Sequence, residues 1–102
     1  MEVKLQQHMR FTGDQVAQEV LHSCQDMRVL LINLMPGQVV EPHTSSSSVS
    51  LHVVSGMGEV LCGAEWVSAE TGTVRFYPPG EAHGLRCGAE PCSVLVTLAP
   101  RP

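Results

Sequence analysis

The sequence is poor in charge. Only 16% of its 102 residues are Asp, Glu, Lys or Arg, against about a quarter in ordinary soluble domains. Six Lys and Arg are scattered along the chain and the net charge is -4. No basic stripe is available for phosphate contacts, which argues against nucleic acid as a partner. No apolar run is long enough to span a bilayer. The opening "MEVKLQQHMR" lacks the apolar stretch of a secretion signal. These absences predict a soluble, cytoplasmic protein with no membrane partner. A charge-poor surface also favours burial against a second copy, so a homodimer is expected.

The length suits one domain, 1–102, with a limited core. Four cysteines, Cys24, Cys62, Cys87 and Cys92, are present. Without secretion signals they are expected to be reduced thiols. Four residues separate Cys87 from Cys92, which is not a usual zinc-ribbon spacing. Cys62, Cys87 and Cys92 read as small buried apolar side chains.

Gly and Pro punctuate the chain at short intervals, and the runs between them are rich in Val, Leu and Thr. That spacing predicts many short strands, an all-β sandwich or barrel. "MRVLLINLM" (Met27 to Met35) is apolar on nearly both faces, as a central strand would be. "VSLHVVS" (Val49 to Ser55) is expected to pair with "GEVLC" (Gly58 to Cys62) across a Gly56–Gly58 hairpin. "EWVSAE", "TVRFY", "HGLRC" and "CSVLVTLA" complete the set. Residues 14–22 are ambiguous. Asp14 can cap a short helix, but a strand over Val16 to His22 is preferred.

Two stretches carry a resemblance. The first runs Gly37, five residues, His43, one residue, Ser45, three residues, Val49, six residues, Gly56. The second runs Gly72, five residues, Pro78, one residue, Gly80, two residues, His83, three residues, Cys87. Their spacing resembles the paired motifs of the cupin superfamily, with motif 1 at about 37–56 and motif 2 at about 72–87. Motif 2 keeps most of its marked residues. Motif 1 is degenerate, because Ser45 stands where a second His belongs and Val49 where a Glu belongs. The resemblance implies a small jelly-roll β-barrel, the double-stranded β-helix.

In metal-binding cupins three His and one Glu converge inside the barrel on a divalent ion, with positions left open for substrate. Carried over residue by residue, the resemblance leaves His43 and His83 as metal ligands. A hydroxyl at Ser45 is a poor ligand and Val49 is none. Glu41 shares the strand parity of His43 and is the one carboxylate available as a substitute. Cys87 shares the parity of His83 but lies roughly 13 Å along the strand. His52 has the opposite parity to Val49 and should face away from the pocket.

Each residue has a plainer reading. His43 and His83 can be imidazoles hydrogen-bonded to backbone. Ser45 to Ser48 can be a solvated loop, although its hydroxyls can also bind a ligand. Arg75, Tyr77 and Arg86 can be surface or dimer contacts, and Trp66 packing. The reading preferred is a cupin that binds a small molecule at a pocket of His43, Ser45 and His83. The alternative is a metal-dependent enzyme of dioxygenase, isomerase or decarboxylase type, holding Zn, Fe, Mn or Ni through an incomplete His site. A superfamily with many unrelated activities does not supply a substrate.

Overall fold

The computed structural model describes residues 1–102. A 3-10 turn at Leu5–His8 precedes nine strands: β1 Ala17–Ser23, β2 Arg28–Leu34, β3 Val39–His43, β4 Ser48–Ser55, β5 Met57–Cys62, β6 Glu65–Glu70, β7 Val74–Tyr77, β8 His83–Cys87 and β9 Cys92–Ala99. They form two antiparallel sheets, one ordered β1-β2-β9-β4-β7 and the other β3-β8-β5-β6. From β2 to β5 the chain changes sheet at every connection, and it does so again from β6 to β9. This is the jelly roll expected from the sequence, as two facing sheets that do not close into a barrel. No helix is long and apolar enough to cross a membrane.

Alternation explains the core. In β4, Val49, Leu51 and Val53 are buried while Ser50 and His52 are only half-buried. Strand side chains alternate between the two faces of a sheet, so the first three meet the opposite sheet. Ile32, Leu34, Val94 and Val96 join them from the same sheet, and Val60, Leu85 and Cys87 come from the other. β2 is buried on its outer side too, at Leu31 and Asn33. There Asn33 donates to the His8 carbonyl at 2.9 Å and accepts from the Ser93 hydroxyl at 2.7 Å. The N-terminal segment thus covers this outer face, which accounts for the two-sided apolar pattern of β2.

The ambiguous segment is a strand. β1 pairs with β2 along its length, with an irregularity between Val20 and His22. The expected β4–β5 hairpin does not form. β4 pairs with β7 and β9, whereas β5 pairs with β6 and β8. Gly56 instead carries the chain from one sheet to the other with φ of 76°, a conformation that glycine adopts without steric penalty. A Cβ there would stand 2.1 Å from the Pro91 carbonyl oxygen. The residue is required, but for a crossover rather than a hairpin.

Candidate functional site

His43 closes β3 and His83 opens β8. The two are cross-strand partners, and their rings meet edge to face with centroids 4.3 Å apart at 65°. His83 is 4% exposed, while His43 is open to solvent. One ring therefore lies deep and the other at the rim.

Each imidazole is fixed in the same way. His43 Nδ1 lies 3.0 Å from the Glu41 carbonyl oxygen and His83 Nδ1 lies 3.2 Å from the Glu81 carbonyl oxygen. A carbonyl only accepts, so Nδ1 carries the proton in both rings. In the neutral form Nε2 is then a bare lone pair on each, and neither Nε2 has a hydrogen bond within the protein. Burial pushes His83 below the usual imidazole range. The Glu81 carbonyl opposes this shift and the neighbouring His43 adds to it.

Tyr77 supports His83 from the side. It is almost fully buried, its ring centroid is 5.6 Å from that of His83, and its hydroxyl donates to the Leu61 carbonyl at 2.6 Å. Burial pushes its pKa up to about 12, with Arg75 pulling the other way. Tyr77 is therefore a neutral wall beside the imidazole pair rather than a surface contact. Arg75 does lie on the same strand face, as parity suggested, and its guanidinium donates to Cys62 Sγ at 3.0 Å.

The two histidines line a cavity of about 200 Å³. Seven of its eleven lining residues are Leu, Ile or Val, among them Leu30, Ile32, Leu51 and Val96. The polar lining consists of Gln18, His43 and His83, and no Asp, Glu, Lys or Arg takes part. Gln18 on β1 is exposed, which places it at the mouth. Gln18 escaped the sequence reading because the strand preferred over Val16 to His22 was given no inner face. Alternation along a β1 strand would have placed it on the inner face.

The other expected residues lie elsewhere. Between Val40 and His43 the β3–β8 register shifts, so three steps along β3 match two along β8. Val40 and His43 both line the cavity in consequence. Glu41 loses the shared parity and is exposed. Ser45 is not among the lining residues. Its hydroxyl accepts from the Ser47 N–H at 3.1 Å and its carbonyl accepts from the Gly80 N–H at 2.9 Å, tying the two motif loops together. Ser47 is fully buried and its hydroxyl donates to the Pro100 carbonyl. The serine run is thus built into the fold, and only Ser46 and Ser48 are solvated. Val49 is buried in the core.

Cys87 is buried at the far end of β8 and its thiol donates to the Glu90 carbonyl at 2.8 Å. Cys92 is buried beside it. Burial, reinforced by Cys87, pushes its thiol up to about 12. Cys62 is exposed, contrary to expectation, because it ends β5 at the Gly63 turn. His52 is on the side of β4 away from the core, as its parity required. Trp66 packs, with the Arg86 guanidinium over its ring at 4.5 Å.

The donor set does not fit the tightly held metal centre of a full cupin site. No group of three or more His, Cys, Asp or Glu is close enough to share an ion. Glu41 and Cys87 do not join the histidines, so the two imidazoles are the only His, Cys, Asp or Glu side chains that line this cavity.

No curated protein sequence matches this chain. Solved structures do. The Thermus thermophilus protein TT1209 is 30% identical, with all of both chains covered and a TM-score of 0.90. An RmlC-like cupin protein from Desulfovibrio desulfuricans is 26% identical over 89% of this chain and 88% of that one, with a TM-score of 0.82. A Klebsiella pneumoniae protein with a double-stranded beta-helix domain is 22% identical over 97% of this chain and 89% of that one, with a TM-score of 0.89. Residues 30–98 match the Cupin domain family, and this span runs from the first core residues of β2 through both histidines to β9. With that match and this two-sheet fold, the chain belongs to the cupin family.

Proposed function

We propose that this cupin binds a small organic molecule in the cavity between its sheets, held by the Nε2 atoms of His43 and His83. The observation that carries this reading is the paired Nδ1-to-carbonyl bracketing, which leaves both Nε2 atoms free beside one apolar cavity. Ligand sites are typically concave and apolar with a few placed polar groups. The cavity holds the equivalent of about seven waters of liquid volume, which suits a ligand of few atoms.

The polar groups are preorganised. Each ring is held by the backbone carbonyl two residues before it, so binding requires little side-chain ordering, a cost of about 0.5–1.5 kcal/mol per mobile side chain elsewhere. Tyr77 and the core behind it keep His83 in place without offering a competing hydrogen bond, because the Tyr77 hydroxyl is engaged by Leu61.

The test is a fragment screen read by NMR on imidazole-labelled protein. Ligands that shift the His43 and His83 Nε2 resonances and leave His22 and His52 unmoved support the reading. A screen in which no fragment moves either ring sinks it. Tight stoichiometric uptake of an added divalent metal that depends on both histidines would also overturn it, in favour of metal-dependent chemistry.

A further inference from the structure

From the same cavity we infer a ligand class: an uncharged molecule with adjacent hydroxyl groups on a compact hydrocarbon frame. This inference rests on the proposed binding site and deepens it.

Three observations lead there. First, the two imidazoles that line the cavity are acceptors. With Nδ1–H donating to a carbonyl in each ring, the neutral imidazoles present two lone pairs and no proton. A ligand must therefore bring the donor at the buried His83, since an acceptor placed against a bare acceptor leaves both unpaired.

Second, the two rings are adjacent, cross-strand partners with centroids 4.3 Å apart. Two hydroxyls on neighbouring carbons can serve one Nε2 each. A single hydroxyl has one proton, so the ring at the rim would have to turn to water.

Third, the cavity excludes charge. No Lys or Arg lines it to receive a carboxylate or phosphate, and no Asp or Glu to receive an ammonium group. Burying an unpaired charge among Leu30, Ile32, Leu51 and Val96 would be far costlier than burying a hydrocarbon frame. Gln18 at the mouth carries both a donor and an acceptor, so it tolerates a third oxygen on the ligand without selecting for charge.

The experiment uses the whole chain, imidazole-labelled, at about pH 8, above the ordinary imidazole range. Three probes of matched frame are titrated: cis-1,2-cyclohexanediol, cyclohexanone, which accepts but does not donate, and cyclohexanecarboxylate. The diol is expected to shift both histidine resonances and to bind at least tenfold more tightly than either of the others. His43→Phe should weaken the diol at least tenfold. His43 is at the exposed rim, so the variant is expected to fold, and its strand dispersion in the NMR spectrum verifies this.

If cyclohexanone or cyclohexanecarboxylate binds as tightly as the diol, with both histidines shifted, the ligand class is wrong while the site stands. If the diol binds and His43→Phe is without effect, the two-acceptor argument fails. If none of the three moves either ring while other fragments do, the class again fails alone. If no compound of any kind moves them, the site itself is refuted.

Discussion

Behind His83 stands Tyr77, its ring 5.6 Å from the imidazole and its hydroxyl committed to the Leu61 carbonyl on the opposite sheet. The pair links the candidate site to the packing between the two sheets. One member of it faces the cavity, and the other is a neutral side chain anchored across the core.

Tyr77 is the only tyrosine, so its ionisation is directly observable by ultraviolet absorbance. Its pKa is pushed up to about 12 in the folded protein, against about 10 in an unfolded chain. An acid whose folded pKa is raised contributes stability that is complete below the unfolded value and is lost as pH rises through about 10 towards 12. The absorbance midpoint should fall near 12 in buffer and near about 10 in denaturing urea. Tyr77→Phe should remove the signal. It should also destabilise the fold by about 1–3 kcal/mol through the unpaired Leu61 carbonyl, as measured by urea unfolding at neutral pH.

The acid side is governed by His83. Its pKa is lowered, first by burial. A base whose folded pKa is depressed contributes stability that is complete above the unfolded value, about 6.5, and is lost as pH falls below it. The groups facing His83 are the His43 ring, the Tyr77 ring and the Glu81 backbone and side chain. The urea midpoint should therefore drop between about pH 7.5 and about pH 5, and His83→Gln should show a smaller drop. An equal drop in the two proteins would place the acid sensitivity elsewhere.

The cysteines should separate kinetically. Cys62 is exposed, Cys24 half-buried, and Cys87 and Cys92 buried. A thiol reagent at about pH 8, close to the ordinary thiol pKa, should modify Cys62 first, and Cys62→Ser should abolish that fast phase. Cys87 and Cys92 should react only as the fold opens, with urea accelerating them. Mass spectrometry of the partially modified protein identifies the order.

Most strands were legible because their short apolar runs end at Gly or Pro, and motif spacing put His43 and His83 in one pocket. What escaped was set by pairing across sheets. The Gly56–Gly58 stretch has the local look of a hairpin, and nothing within it reveals that β4 finds β9 and β7 as partners. Glu41 was misplaced because parity assumes a regular ladder, and the shift between Val40 and His43 lies in how β3 meets β8. Ser47 looked solvated because its acceptor, the Pro100 carbonyl, is 53 residues away.

The Gly56 crossover gives a test that separates backbone conformation from close approach. Gly56 and Gly63 both have positive φ, 76° and 64°. A Cβ on Gly63 meets nothing within 4 Å, whereas on Gly56 it meets the Pro91 carbonyl oxygen at 2.1 Å and Cys92 Cα at 3.0 Å. Gly63→Ala should therefore cost only the left-handed penalty, about 1–2 kcal/mol. Gly56→Ala carries that penalty and must also push β9 away from the crossover at its first residue. It should cost at least about 2 kcal/mol more than Gly63→Ala, in the range of buried overpacking. Urea midpoints of the two variants decide the matter. Equal losses would mean that the chain at Pro91 yields freely, and that the tight junction between β4, β5 and β9 is not a fixed part of the fold.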